Sequence, residues 1–111
     1  MTMTFESLTE QFESVREYVQ KAPAGMEILS TCLSLADFLA EKNISYGNSA
    51  ISPLRIFSKA SNKEQLFIRI DDKLNRLFQG KEYPGDDVLK DLAGYYILLM
   101  VIEMLDEQET T

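Results

Sequence analysis

The residues of this chain best suited to chemistry lie in two stretches. One is Arg69-Ile70-Asp71-Asp72-Lys73-Leu74-Asn75-Arg76-Leu77 and the other Asp87-Val88-Leu89-Lys90-Asp91-Leu92-Ala93-Gly94-Tyr95. On a helix, at about 100° per residue, Arg69, Asp72, Lys73 and Arg76 share one arc beside an apolar stripe of Leu66, Ile70, Leu74 and Leu77. Cations and a carboxylate therefore border a core-facing surface. In the second stretch Asp87, Asp91 and Gly94 line up, the last without a side chain. Such a layout suits a polyphosphate held by charge-assisted hydrogen bonds and by a carboxylate-bound metal ion.

Composition narrows what that chemistry can be. The 111 residues contain no histidine, which removes imidazole general bases, Ser-His and Cys-His nucleophile systems, and nearly all zinc or copper sites. A metal here would be a hard cation on oxygen ligands, Mg2+ or Mn2+ first. Cys32 is the single cysteine and so forms no disulfide within the chain; its place in an apolar helix predicts a core position. The net charge of −7 argues against duplex nucleic acid and anionic membranes, both of which need a positive surface, but leaves room for a small phosphorylated ligand on a local cluster of cations. The start of the chain lacks the basic and apolar regions of a secretory signal. The most apolar run, Leu92 to Ile102, is shorter than the roughly 20 residues a bilayer requires, so a cytoplasmic setting is expected.

The elements that must position these residues are helical. Phe5, Leu8, Phe12, Val15 and Val19 recur at helical spacing and predict an amphipathic first helix from Thr4 to Gln20, closed by Pro23 and Gly25. Leu29, Cys32, Leu33, Ala36, Leu39 and Ala40 cover a wide face of a second helix from Met26 to Lys42, which predicts a central position. Asn43 to Ser49 reads as a loop. Ser52-Pro53 predicts a short helix to Lys59. Ser61 and Glu64 open the next helix as a capping box, and Gly80 closes it. A last helix from Asp87 to Asp106, apolar on all sides in its middle, is expected at the centre, with residues 107–111 frayed. The fold class is all-α: a bundle of four main helices and one short one, forming a single compact domain with an N-terminal helix and loop at 1–25 and a main helical part at 26–107. A helix apolar all round in so short a chain predicts a homodimer or higher homo-oligomer.

Three segments in order carry a resemblance. Lys42-Asn43-x-x-Tyr46-Gly47-Asn48-Ser49, then Arg69-Ile70-x-Asp72-Lys73-Leu74-x-Arg76-Leu77, then Asp87-x-x-x-Asp91-Leu92-Ala93-Gly94-Tyr95 resemble the nucleotide modification associated domain family, small helical proteins of phages and bacteria. The resemblance spans about Met26 to Ile102. That family is itself similar to all-helical nucleoside triphosphate pyrophosphatases of the MazG and dimeric dUTPase kind, which use magnesium on helix carboxylates. It implies a nucleotide or other phosphorylated ligand, and, for a phage-encoded chain, the host cytoplasm. On this reading Asp72, Asp87 and Asp91 are the catalytic and metal-holding acids, Arg69, Lys73 and Arg76 neutralise phosphates, and Tyr46, Gly47, Asn48 and Tyr95 complete the ligand site. Between Met26 and Ile102 there is no Glu-x-x-Glu pair of the pyrophosphatase kind; Asp37 and Glu41 lie on the second helix instead. Hence a non-catalytic binder that sequesters a nucleotide or cyclic nucleotide, and a helical oligomerisation scaffold, stand beside the enzyme.

Each feature also has a plainer reading. Asp72 with Arg76 at four-residue spacing is an ordinary helix-surface pair worth a few tenths of a kcal/mol. Asp87 is a first-turn acid favoured by the helix dipole. Tyr46-Gly47-Asn48 is a turn. Gly94, which costs about 1 kcal/mol against Ala inside a helix, makes room for another helix or for a ligand.

Overall fold

The computed structural model describes residues 2–81, 84, 85 and 87–110. It is all-α, with helices α1 (Phe5–Lys21), α2 (Gly25–Ser45), α3 (Asn62–Gln79) and α4 (Val88–Thr110), and no strand among the described residues. The chain divides into two compact units, Met1–Phe38 and Leu39–Thr111. Among the described residues no helix is long and apolar enough to cross a membrane.

In the first unit, Thr4 caps α1: its hydroxyl accepts from the Ser7 N–H at 3.1 Å, and the Ser7 hydroxyl accepts from the Thr4 N–H at the same distance. This reciprocal box satisfies two donors that every helix start leaves open. Ala22 ends the helix by donating its N–H to the Tyr18 carbonyl. Gly25 then opens α2, so close to α1 that a Cβ there would fall onto the carbonyl group of Val19. Gly25→Ala should therefore push the turn apart at a cost of about 1–3 kcal/mol, read as a fall of about 4 °C or more in melting temperature. An unchanged melting curve would mean that this turn is looser than described. The second helix does not fit its expected burial. No residue of α1 is buried, and in α2 only Gly25 is. The wide apolar face of α2 does not make it central, and Cys32 is exposed instead of buried in a core.

The second unit holds the core. Leu66 and Ile70 of α3 meet Leu99 and Ile102 of α4, with Ile51, Leu74, Leu92, Tyr95 and Leu98 packed around them. Pairs between early α3 and late α4, and between late α3 and early α4, make the two helices an antiparallel hairpin. Ser61 caps α3 by accepting from the Glu64 N–H at 3.1 Å. Gly80, at φ 65°, ends it with its N–H on the carbonyl of Leu77, while Lys81 donates back to Arg76. That six-residue closure needs a left-handed residue, which glycine supplies without a Cβ penalty.

Three expectations are corrected here. The short helix from Ser52 to Lys59 is absent; that segment is irregular. Its Leu54, Ile56 and Phe57 are exposed, Phe57 at 95%, and about two helical turns without a packed face do not offset the nucleation cost. Second, α4 is helical as far as Thr110, beyond the expected limit at Asp106. Third, α4 is not enclosed: Tyr96, Met100 and Met104 are exposed on the side away from α3. Its main neighbour is α3, which covers one face.

Candidate functional site

The seam between α3 and α4 follows the spacing Lys63, Leu66, Ile70, Lys73, three-four-three, so two lysines stand in line with the two core residues. Each is met by an acid from α4. Lys63 Nζ lies 3.0 Å from Glu103 Oε1 at one end, and Lys73 Nζ lies 2.8 Å from Asp91 Oδ2 at the other. The Lys73 side chain is almost wholly buried, 6% exposed, and that of Asp91 is 27% exposed. Spacing places Lys73 on the arc beside the stripe; the fold puts it inside the seam, while Leu77 is exposed. The reason is electrostatic and steric together: the lysine stem fills the seam as a hydrocarbon, and its ammonium reaches a carboxylate already desolvated in part.

One turn further along α3, Arg76 Nη2 lies 3.1 Å from Asp72 Oδ2. Asp72 is largely exposed, so this pair is the ordinary i,i+4 contact. The Arg76 guanidinium has a second feature, however: its Nε is buried and has no hydrogen-bond partner. Buried donors without partners are uncommon, and each calls for an explanation. Arg69, two turns before Arg76, is exposed.

The remaining predicted site residues have structural duties. Asp87 caps α4: its Oδ1 accepts from the Lys90 N–H at 3.1 Å, and its carbonyl accepts from Asp91. Tyr46, Gly47 and Asn48 close α2. The Gly47 N–H donates to Ile44 and the Asn48 N–H to Asn43, with Gly47 at φ 60° and Asn48 at φ 67°. Their amides are thus spent on the last carbonyls of the helix, the role that a phosphate would otherwise take. The Asn43 side chain donates to Asn48 Oδ1 at 2.8 Å and ties the closure together. Tyr46 is exposed and holds Lys42 over its ring at 5.7 Å. Tyr95 packs at the edge of the core. Gly94 is buried, and a Cβ on it would come 3.1 Å from Leu39 Cδ2, so the missing side chain admits Leu39.

Asp72, Asp87 and Asp91 are therefore engaged separately, with Arg76, with the α4 backbone and with Lys73. Among the described residues no three acids or cysteines gather in a group that could hold a metal ion. The position missed by sequence reading is Glu103, partner of Lys63; its only signal is that Lys63 and Lys73 stand ten residues apart, three turns, at the ends of the apolar seam. Arg55 is a second missed residue: its guanidinium binds the Ala60 carbonyl and Asn62 Oδ1. Gln65 also donates to Ala60. Together they fix the irregular segment before α3.

Fold and site define an all-α protein whose central feature is a helical hairpin pinned by interhelical ion pairs. No family model, curated protein or solved structure matches the chain.

Proposed function

We propose that this protein is a nucleotide-handling domain that binds a phosphorylated small molecule without turning it over, and that it works as a homo-oligomer. The observation that carries the reading is Arg76. Asp72 holds one end of its guanidinium, and its buried Nε lacks an acceptor that an anionic oxygen would supply. Arg69 lies on the same helix, two turns away, and adds positive charge. Binding is favoured over turnover because Asp72 and Asp91 are matched to cations of α3 and Asp87 caps a helix, so these three carboxylates do not form a shared set for magnesium, and no other such set occurs among the described residues. The apolar residues exposed on α4 support self-assembly, since monomers rarely show extended apolar patches.

Pyrophosphohydrolase chemistry is the competing reading, supported by the resemblance of the three segments. It requires a second copy to bring acids of two chains to one Mg2+ or Mn2+ ion, which would polarise the phosphate and activate water. Both readings are tested together. Native mass spectrometry of protein purified from cells should show a retained phosphorylated ligand, and calorimetry with a panel of nucleotides should find one that binds. Arg76→Ala and Arg69→Ala should then lower affinity by about tenfold, the loss of a charge-assisted contact, with melting temperature almost unchanged. Intact recovery of the bound nucleotide in the presence of magnesium supports the binder, whereas release of pyrophosphate promotes the enzyme. If no nucleotide binds at millimolar concentration, both readings fall.

A further inference from the structure

The side of α4 turned away from α3 carries a continuous apolar stripe. Ala93, Ile97, Met100 and Met104 fall within about 60° of one another around the helix, and all four are exposed, Met100 at 66%. Leu89 and Tyr96 widen the stripe and are exposed too. Between Ala93 and Met104 the one charged residue is Glu103, which lies beside the stripe and reaches Lys63 of α3. The other charges stand at its ends. Lys90 comes about one turn before Ala93 and Glu107 about one turn after Met104, about 50° to either side of the stripe's centre, and both are exposed.

This arrangement says what covers the stripe. Consider two copies related by a two-fold axis level with the point midway between Leu98 and Leu99, their α4 helices antiparallel. Ile97 then meets the partner's Met100, and the small Ala93 meets the partner's long Met104. In that same register Lys90 stands level with the partner's Glu107, diagonally across the seam and within side-chain reach. Size and charge therefore select one register between them. Parallel order instead sets Lys90 against the partner's Lys90 and Glu107 against the partner's Glu107, and like charges brought together in this way disfavour an interface. The apolar stripe supplies the attraction, and the charges at its ends set the direction.

We infer that this face of α4 is a self-docking surface on which a second copy of the chain pairs antiparallel, with Lys90 joined to Glu107 of the partner subunit at both ends. The inference deepens the self-assembly part of the proposed function and rests on it, but does not depend on the ligand.

The test uses the full chain and begins with its mass by sedimentation. At about 100 μM an interface of dissociation constant near 1 μM is nearly full, so a dimer is expected. Lys90→Glu should raise the dissociation constant about tenfold, because the two-fold axis repeats the change at both ends, and adding Glu107→Lys should restore it. Met100→Asp should give a monomer while the helical signal is kept. Direction is read separately by a short bis-maleimide on chains carrying Cys32→Ser, since Cys32 is exposed and would react. A mixture of Lys90→Cys and Glu107→Cys chains should cross-link, and neither alone should, because like positions stand about 25 Å apart along the helix axis at 1.5 Å per residue. These two exposed end positions keep the test valid even where Met100→Asp disturbs folding. Cross-linking of Lys90→Cys chains to one another means parallel pairing and overturns the proposal, as does a charge swap without effect. A dimeric mass with no cross-link in the mixture also overturns it, yet leaves self-assembly standing. A monomeric mass at about 100 μM overturns both. Failure of nucleotide binding with the antiparallel dimer intact removes the ligand reading alone.

Discussion

Removing the carboxylate of Asp91 is expected to destabilise the second unit far more than removing that of Asp72, although both acids sit about 3 Å from a cation of α3. Asp91→Ala leaves the Lys73 ammonium buried without its α4 carboxylate. Breaking a buried pair from one side costs about 3–5 kcal/mol. The partial exposure of Asp91 lets water take up some of that loss, so about 2–3 kcal/mol is expected here. Asp72→Ala, at an exposed pair, should cost about 0.5 kcal/mol or less. The double replacement Lys73→Met with Asp91→Leu removes both charges and keeps the seam apolar; it should recover most of the loss, since a buried pair contributes little net stability over hydrophobic residues of similar volume. Urea unfolding of the three variants and the wild type provides the comparison. Equal losses for Asp91→Ala and Asp72→Ala would show that Lys73 is hydrated in solution and that the seam ends at Ile70.

The other large effect is at Leu66, which is fully buried at the centre of the hairpin. Leu66→Ala removes apolar contacts and leaves a cavity, together costing about 2–5 kcal/mol. Domains have about 5–15 kcal/mol in all, and this unit's buried core is Leu66, Ile70, Leu99 and Ile102. The variant should therefore lose the cooperative unfolding of the second unit at physiological temperature. Phe67→Ala, next to it in sequence, and Phe78→Ala, near the end of α3, both at exposed positions, serve as controls and should each cost less than about 1 kcal/mol. A loss below about 1.5 kcal/mol at Leu66 would mean that the hairpin collapses around the gap, or that the core is shared with a partner and larger than that of one chain.

Local signals were sufficient to mark most helix limits. Thr4 and Ser61 are read as starts and Gly80 as a stop because each acts through hydrogen bonds with residues three or four positions away. The same locality explains the error at Ser52-Pro53, where a cap signal precedes Leu54, Ile56 and Phe57: a cap permits a helix, but packing stabilises it. Asp87 and Gly47 belong to the legible class too, since a first-turn acid and a left-handed glycine are local facts. Asp87 is drawn into the site by its spacing with Asp91, and Gly47 by the resemblance; the structure accounts for both as helix ends.

What the sequence by itself determined is thus the all-α class, the limits of most helices and the identity of the charged arc on α3. What the tertiary structure decided is which of those charges matters. Arg69, Asp72, Lys73 and Arg76 look alike along the chain because helical periodicity gives their angle around α3 but not the depth of the groove they meet. Only the approach of α4, with Asp91 level with Lys73 and Glu103 level with Lys63, separates a lysine inside the seam from an arginine at its edge and another in solvent. The physical reason is that desolvation depends on what lies within a few ångströms in space, and residues 73 and 91 meet there through a chain reversal that no local pattern encodes.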